Sequence, residues 1–201
     1  MSIRFHYLII VLAGAAAVFV GCEKNAAQPA APSPLTNAQS VGVGEPAQLA
    51  ANGESQHAVT IFDACDPETF NAELGAGTCT RSGGVRFASF IEQLGKHHSI
   101  GAWHFAPPEV TMRVGQMLVA TNRGGEAHTF TEVEEFGGGI IPLLNQLTGL
   151  TSVAPECRQL AGGDFLAPGA SFSEKEEDAG VEKYQCCIHP WMRAEVRISQ
   201  K

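Results

Sequence analysis

The chain has 201 residues, with 13 basic and 21 acidic side chains and a formal charge of −8. That balance argues against nucleic acid as a partner and favours a basic or locally positive protein surface. The length suffices for one domain with a real core, once the amino-terminal segment is set aside.

Arg4 precedes an apolar or small run from Tyr7 to Val20, and Gly21-Cys22 follows at once. The run is short for a membrane helix, which needs roughly 20 residues, and fits the apolar core of an export signal. Residues 1–21 are therefore expected to be a signal peptide, with Cys22 as lipid acceptor. Plain secretion and an uncleaved anchor are the alternatives. Residues 22–56 are rich in Ala, Pro, Ser, Gln and Gly and carry no aromatic side chain. Such a composition cannot offset its ordering entropy and reads as a flexible tether. The expected placement is the periplasmic side of a bacterial membrane, or the soluble periplasm if Cys22 is not lipidated.

The folded part is expected over 57–201 as a single domain. Val59–Phe62 reads as a short strand, and Asp63–Gly84 as turn and loop. Phe87, Phe90, Ile91 and Leu94 recur at helical spacing, with Gly95 behind them. Trp103–Phe105, Glu109–Val114, Met117–Asn122 and Thr129–Val133 read as extended. Gly137–Gly139 marks a mobile or tightly turned loop, and Leu143–Leu150 a brief helix. Asp164–Ala167, Ser171–Ser173 and Val181–Cys186 read as extended. Ala194, Val196 and Ile198 alternate with Glu195, Arg197 and Ser199, as in a terminal strand with one buried face. Short strands divided by Gly and Pro turns predict an all-β sandwich.

The chemistry is concentrated in Tyr184-Gln-Cys186-Cys187-Ile-His189-Pro190-Trp191-Met192. Two residues separate Cys186 from His189, and two more separate His189 from Met192. One tight loop can thus present a thiolate, an imidazole and a thioether to one point. His128, in a Gly-rich segment after Asn122, can supply a second imidazole from elsewhere in the sandwich. Two His, one Cys and a weak axial Met form the ligand set of a blue copper electron-transfer site. Zinc, the main competitor, gains little from a thioether. Cys186 is preferred to Cys187 because it gives the two-and-two spacing, and adjacent residues on an extended segment point in opposite directions. Pro190 and Trp191 are expected to shield the loop and offer an apolar surface beside His189, a route for electrons. Asn122 is expected either to bond across to the Cys loop or to serve as a turn residue.

With Cys22 and Cys186 assigned, Cys65, Cys79, Cys157 and Cys187 remain for two disulfides in an oxidising compartment. Cys65–Cys79 and Cys157–Cys187 are preferred; Cys65–Cys157 stays open. His57, His97, His98 and His104 are read as loop or strand residues. A solvated face is also preferred for the acidic groups Glu132–Glu135 and Glu174–Asp178.

Residues from about Trp103 to Lys201 resemble a cupredoxin of the plastocyanin and amicyanin group. His128-Thr-Phe resembles the first-histidine region, and the Cys186–Met192 loop resembles amicyanin most. The resemblance implies a Greek-key β-sandwich holding one type 1 copper through His128, Cys186, His189 and Met192. It implies electron shuttling between larger redox enzymes. An enzyme of the multicopper type would need a further copper cluster or a second ligand-bearing domain, and the sequence offers neither, so no enzymatic activity is expected. Copper storage, delivery or scavenging is the alternative. The chain departs from the small members in the added segment 57–102, in Cys187, and in an extended loop between His128 and Cys186 whose surplus falls at Gly137–Gly163.

Overall fold

The computed structural model describes residues 55–200. The expected signal 1–21, Cys22 and the tether up to residue 54 lie outside them. Among the described residues no helix is long and apolar enough to cross a membrane.

Eight strands form two four-stranded sheets. The first contains β1 (Gln56–Phe62), β2 (His104–Ala106), β4 (Met117–Asn122) and β6 (Ser171–Lys175), in the order β2-β1-β4-β6. The second contains β3 (Glu109–Arg113), β5 (Thr131–Val133), β7 (Gly180–Gln185) and β8 (Arg193–Ser199), in the order β3-β8-β7-β5. Each sheet has one parallel pair, β1 with β4 and β3 with β8; the other pairings are antiparallel. Alternation sets the faces. In β4, Leu118, Ala120 and Asn122 are buried; in β8, Ala194, Val196 and Ile198 are. The inner faces share one core, bridged by Phe130 stacked on Tyr184 at 4.4 Å and set edge-on to Phe105 at 5.1 Å.

Three helices correct the all-β Greek-key expectation. They are α1 (Pro67–Leu74), α2 (Phe87–His97) and α3 (Pro142–Thr148), each with buried residues in the core. The protein is an open two-sheet sandwich with packed helices, not a purely β one. The last two helices fall close to their predicted positions. The first lies inside the segment read as turn and loop. Its start is nonetheless written in the sequence: the Asp66 carboxylate accepts from Thr69 N–H at 3.0 Å, and Pro67 opens the helix. Pro is favoured at that first position because its missing N–H has no helical partner to lose. Phe70 then enters an aromatic cluster, 5.4 Å from Phe90 and 6.0 Å from Trp103. Asp164–Ala167, expected to be extended, is a helical turn over Gly162–Asp164 followed by a single bridge from Leu166 to His128.

The extended loop is tightly turned. Gly138 bridges to Val153, and a Cβ on Gly139 would collide with the Cys187 carbonyl. Both preferred disulfides are formed, Cys65–Cys79 and Cys157–Cys187. The second joins Val133 and Ala154 in a small separate core and ties the long loop to the residue after Cys186. It closes a separation of 30 residues. The double variant Cys157→Ser/Cys187→Ser is expected to lose about 2–5 kcal/mol of unfolding free energy in urea titration. Unchanged stability would show that the long loop is held by its other contacts alone.

Candidate metal centre

Two loops at one end of the sandwich build the site. The first leaves β4 at Asn122 and is held by backbone bonds between His128 and Leu166, N–H to carbonyl at 3.1 Å and the reverse at 2.7 Å. The second joins β7 to β8. Cys186 N–H donates to the Met192 carbonyl at 3.0 Å, and Met192 N–H to the His189 carbonyl at 2.9 Å. These bonds pinch the seven-residue loop so that Cys186 and His189 face the same way.

The donor atoms form a small triangle. Cys186 Sγ lies 3.7 Å from His128 Nδ1 and 3.8 Å from His189 Nδ1, and the two Nδ1 atoms are 3.3 Å apart. A point in their plane equidistant from all three lies about 2.1 Å from each, close to first-row metal bond lengths to imidazole and thiolate. The three side chains are buried: Cys186 and His128 are 0 % exposed and His189 is 3 % exposed. Three lone-pair donors aimed at one dry point repel one another unless a cation or protons lie between them. The residues therefore fit a metal ion of soft-to-borderline character. Met192 is also buried, at the foot of the same loop.

The sulfur is prepared as an anion. Among the described residues Cys186 is the free cysteine, and Cys187 turns away to its disulfide. Thr129 N–H and His189 N–H each donate to Cys186 Sγ at 3.4 Å. Burial alone would push the thiol up; its bonds to His128 and His189, and their charge, outweigh burial and hold it well below the usual range.

Asp63 holds His128 from behind. Its Oδ2 lies 2.9 Å from His128 Nε2, with both side chains out of solvent. The carboxylate also accepts from Gly125 and Glu126 N–H at 2.8 and 3.0 Å. Burial opposes ionisation of Asp63, but the His128 bond and these two amides prevail and lower it to about 2. For His128, burial disfavours the cation, yet bonds to Asp63 and Cys186 raise it to about 9. A carboxylate on Nε2 fixes the tautomer and leaves Nδ1 to face the triangle. A second carboxylate, Glu126, accepts from Trp103 Nε1 at 2.7 Å and lies 3.8 Å from His189 Nε2.

The remaining expected residues are placed differently. Asn122 does not reach the Cys loop. Its amide donates to the Glu126 and Leu166 carbonyls at 2.8 Å each, and its oxygen accepts from Gly124 N–H at 2.9 Å. It braces its own loop, the turn role. Thr129 makes the cross-loop bond instead, accepting from Cys187 N–H at 2.8 Å. Pro190 is buried and Trp191 half-buried, its ring 5.4 Å from His189 and 6.0 Å from Phe90. His189 itself is 3 % exposed, and the Phe90 ring of α2 stands edge-on to it at 6.4 Å. His57, His98 and His104 engage Gln116, the Leu147 carbonyl and the Phe62 ring, away from the triangle. Asp63, Glu126 and Cys65 also converge, but Cys65 is spent in its disulfide. Asp63, Glu126 and Thr129 were not singled out from sequence. Thr129, next to His128, carried a local cue; Asp63 lies 65 residues from its partner and carried none.

No protein-family model matches the chain, and no curated protein matches it. Among solved structures it is similar to a purple cupredoxin from Nitrosopumilus maritimus, 19% identical over 71% of this chain and 98% of that one, with a TM-score of 0.39. It is also similar to amicyanin from Paracoccus versutus, 19% identical over 50% of this chain and 77% of that one, with a TM-score of 0.33. A reduced amicyanin mutant is 23% identical over 46% and 70%, with a TM-score of 0.31.

Asp63→Asn keeps an acceptor for His128 but removes the charge. It is expected to weaken metal affinity about 10–100-fold, measured by chelator competition on folded protein. Unaltered affinity would mean that the triangle holds its aim without Asp63.

Proposed function

We propose that His128, Cys186 and His189 hold one copper ion, with Met192 as a weak fourth donor, and that the protein carries single electrons between protein partners. The observation behind this is the buried triangle of two imidazole nitrogens and one sulfur with sides of 3.3–3.8 Å. Copper bound by such donors supplies a one-electron couple. The chain's part is to keep the donors still. Backbone bonds lock the Cys186–Met192 loop, Asp63 fixes His128, and the Cys157–Cys187 bridge anchors the neighbouring backbone. A scaffold whose ligands cannot rearrange has little to reorganise when charge changes. The N–H groups of Thr129 and His189 on Cys186 Sγ draw density from the sulfur and so tune its donation.

Burial favours a carrier over a delivery protein. Release of a metal needs donors that can be reached, and none of these three exceeds 3 % exposure. In this reading Cys22 bears lipid, 22–56 is the tether, and 57–201 works at the periplasmic face of a bacterial membrane. The acidic excess suits a basic redox partner.

Cu(II)-loaded protein is expected to show an intense thiolate-to-copper visible band. Cys186→Ser abolishes it, because a hydroxyl lacks thiolate covalency. Met192→Leu is expected to keep the band and shift the reduction potential, since a weak thioether donor would tune rather than create the site. Selective zinc binding with no copper–thiolate band would remove the electron-carrier reading. Separately, mass spectrometry of natively exported protein is expected to find Cys22 lipid-modified at the amino terminus; a free Cys22 thiol or another cleavage point would remove the membrane part.

A further inference from the structure

The three helices do more than pad the sandwich. They roof a cavity of about 660 Å³ on the His189 side of the metal centre. Phe70 of α1, Phe90 and Ile91 of α2, Leu144 of α3 and Ile188 of the Cys loop supply apolar wall, and Glu126 and His189 lie at its edge. The volume is that of a small-molecule site, which commonly spans about 300–1,000 Å³ and is apolar with a few converging polar groups. A protein surface docks on a broad flat patch, whereas this feature is concave.

Its polar groups are informative. Thr78 and Thr80 also line it, but both hydroxyls are engaged, donating to the Gly75 and Gly125 carbonyls at 2.9 and 3.1 Å. As donors they are spent, and as acceptors they are neutral oxygens, which leaves Glu126 as the carboxylate acceptor and His189 as the side-chain donor. The Glu126 carboxylate is held in place by Trp103 Nε1. His189 Nε2 stands 3.8 Å from Glu126 Oε2, beyond hydrogen-bond reach, and has no other polar partner among the described residues. A hydroxyl oxygen set between them at about 2.8–3.0 Å from each would donate to the carboxylate and accept from the imidazole N–H. A carbonyl could use only the imidazole and an ammonium only the carboxylate. The phenylalanine walls favour a ring beside that hydroxyl.

From this we infer that the cavity binds an apolar aromatic alcohol, of the alkylphenol or alkylhydroquinone class, with its hydroxyl between Glu126 and His189. The cavity and the Glu126 acceptor belong to the metal-free chain. Only the placing of a proton on His189 Nε2 draws on the copper reading, in which Nδ1 faces the metal.

Calorimetric titration of the full chain, metal-free and expressed without lipid modification, tests this with 4-hexylphenol and 4-hexylanisole. The anisole carries a methyl in place of the hydroxyl hydrogen, so it keeps the ring and the oxygen but cannot donate, and neither result depends on whether copper binds. The phenol is expected to bind about tenfold tighter, because only it can donate a hydrogen bond to Glu126. Glu126→Gln should shrink that preference, because a neutral oxygen is the weaker acceptor. Ala167→Trp, at an exposed position lining the cavity, should cut binding of both compounds by filling the space. Absent binding, equal affinity for the two compounds, or indifference to Ala167→Trp would overturn the inference. So would a concentration-dependent dimer broken by Ala167→Trp, which would put a second copy of the chain in the cleft.

Discussion

A thiolate taken out of water must find donors and positive charge, or it stays a thiol. Cys186 is fully buried, and everything near it answers that demand. Two backbone N–H groups point at the sulfur, and two imidazoles flank it. One of these, His128, is backed by the Asp63 carboxylate, which is in turn held by the amides of Gly125 and Glu126. The chain of contacts runs from sulfur to imidazole to carboxylate to backbone, so that no member turns freely. Breaking such a buried pair by removing one partner commonly costs about 3–5 kcal/mol, because the other charge is left uncompensated. The site is thus part of what holds this end of the sandwich together.

The sandwich exists to bring distant segments to that point. His128 and Cys186 are 58 residues apart, and Asp63 is 65 from His128. Parallel pairing of β1 with β4 sets Ile61 against Asn122, which carries Asp63 to the start of the His128 loop. The disulfides act on the same region from outside. Cys65–Cys79 fastens α1 beside Asp63, and Cys157–Cys187 fastens the long loop beside Cys186.

The parts readable from sequence were those written locally. The two-and-two loop compresses three donor types into seven residues, and the alternation in β4 and β8 marks their buried faces. The disulfide pairs followed from the export expectation, from the nearness of Cys65 to Cys79 in one polar stretch, and from Cys157 and Cys187 being the two that remained. What was hidden depended on tertiary contacts. Nothing around Asp63 announces a histidine partner, and nothing around Trp103 announces Glu126. The first helix was a different kind of miss: Asp66 and Pro67 are an ordinary helix start, but glycines after Leu74 and the proline itself made the segment look like loop. Of the two roles open to Asn122 the turn role holds, because a strand-end amide finds the carbonyls of its own turn sooner than a loop from another strand. Those helices also change what His189 meets. The apolar surface expected beside the ligand is shaped by the helices into a concave cavity that His189 lines.

X-ray absorption at the copper edge of the loaded protein reads the donors themselves. Copper held by His128, Cys186 and His189 gives one short copper–sulfur distance and two copper–nitrogen distances with the scattering pattern of imidazole, and Cys186→Ser loses the short sulfur. A copper ion surrounded only by nitrogen and oxygen, or a sulfur shell that survives Cys186→Ser, would contradict that donor set.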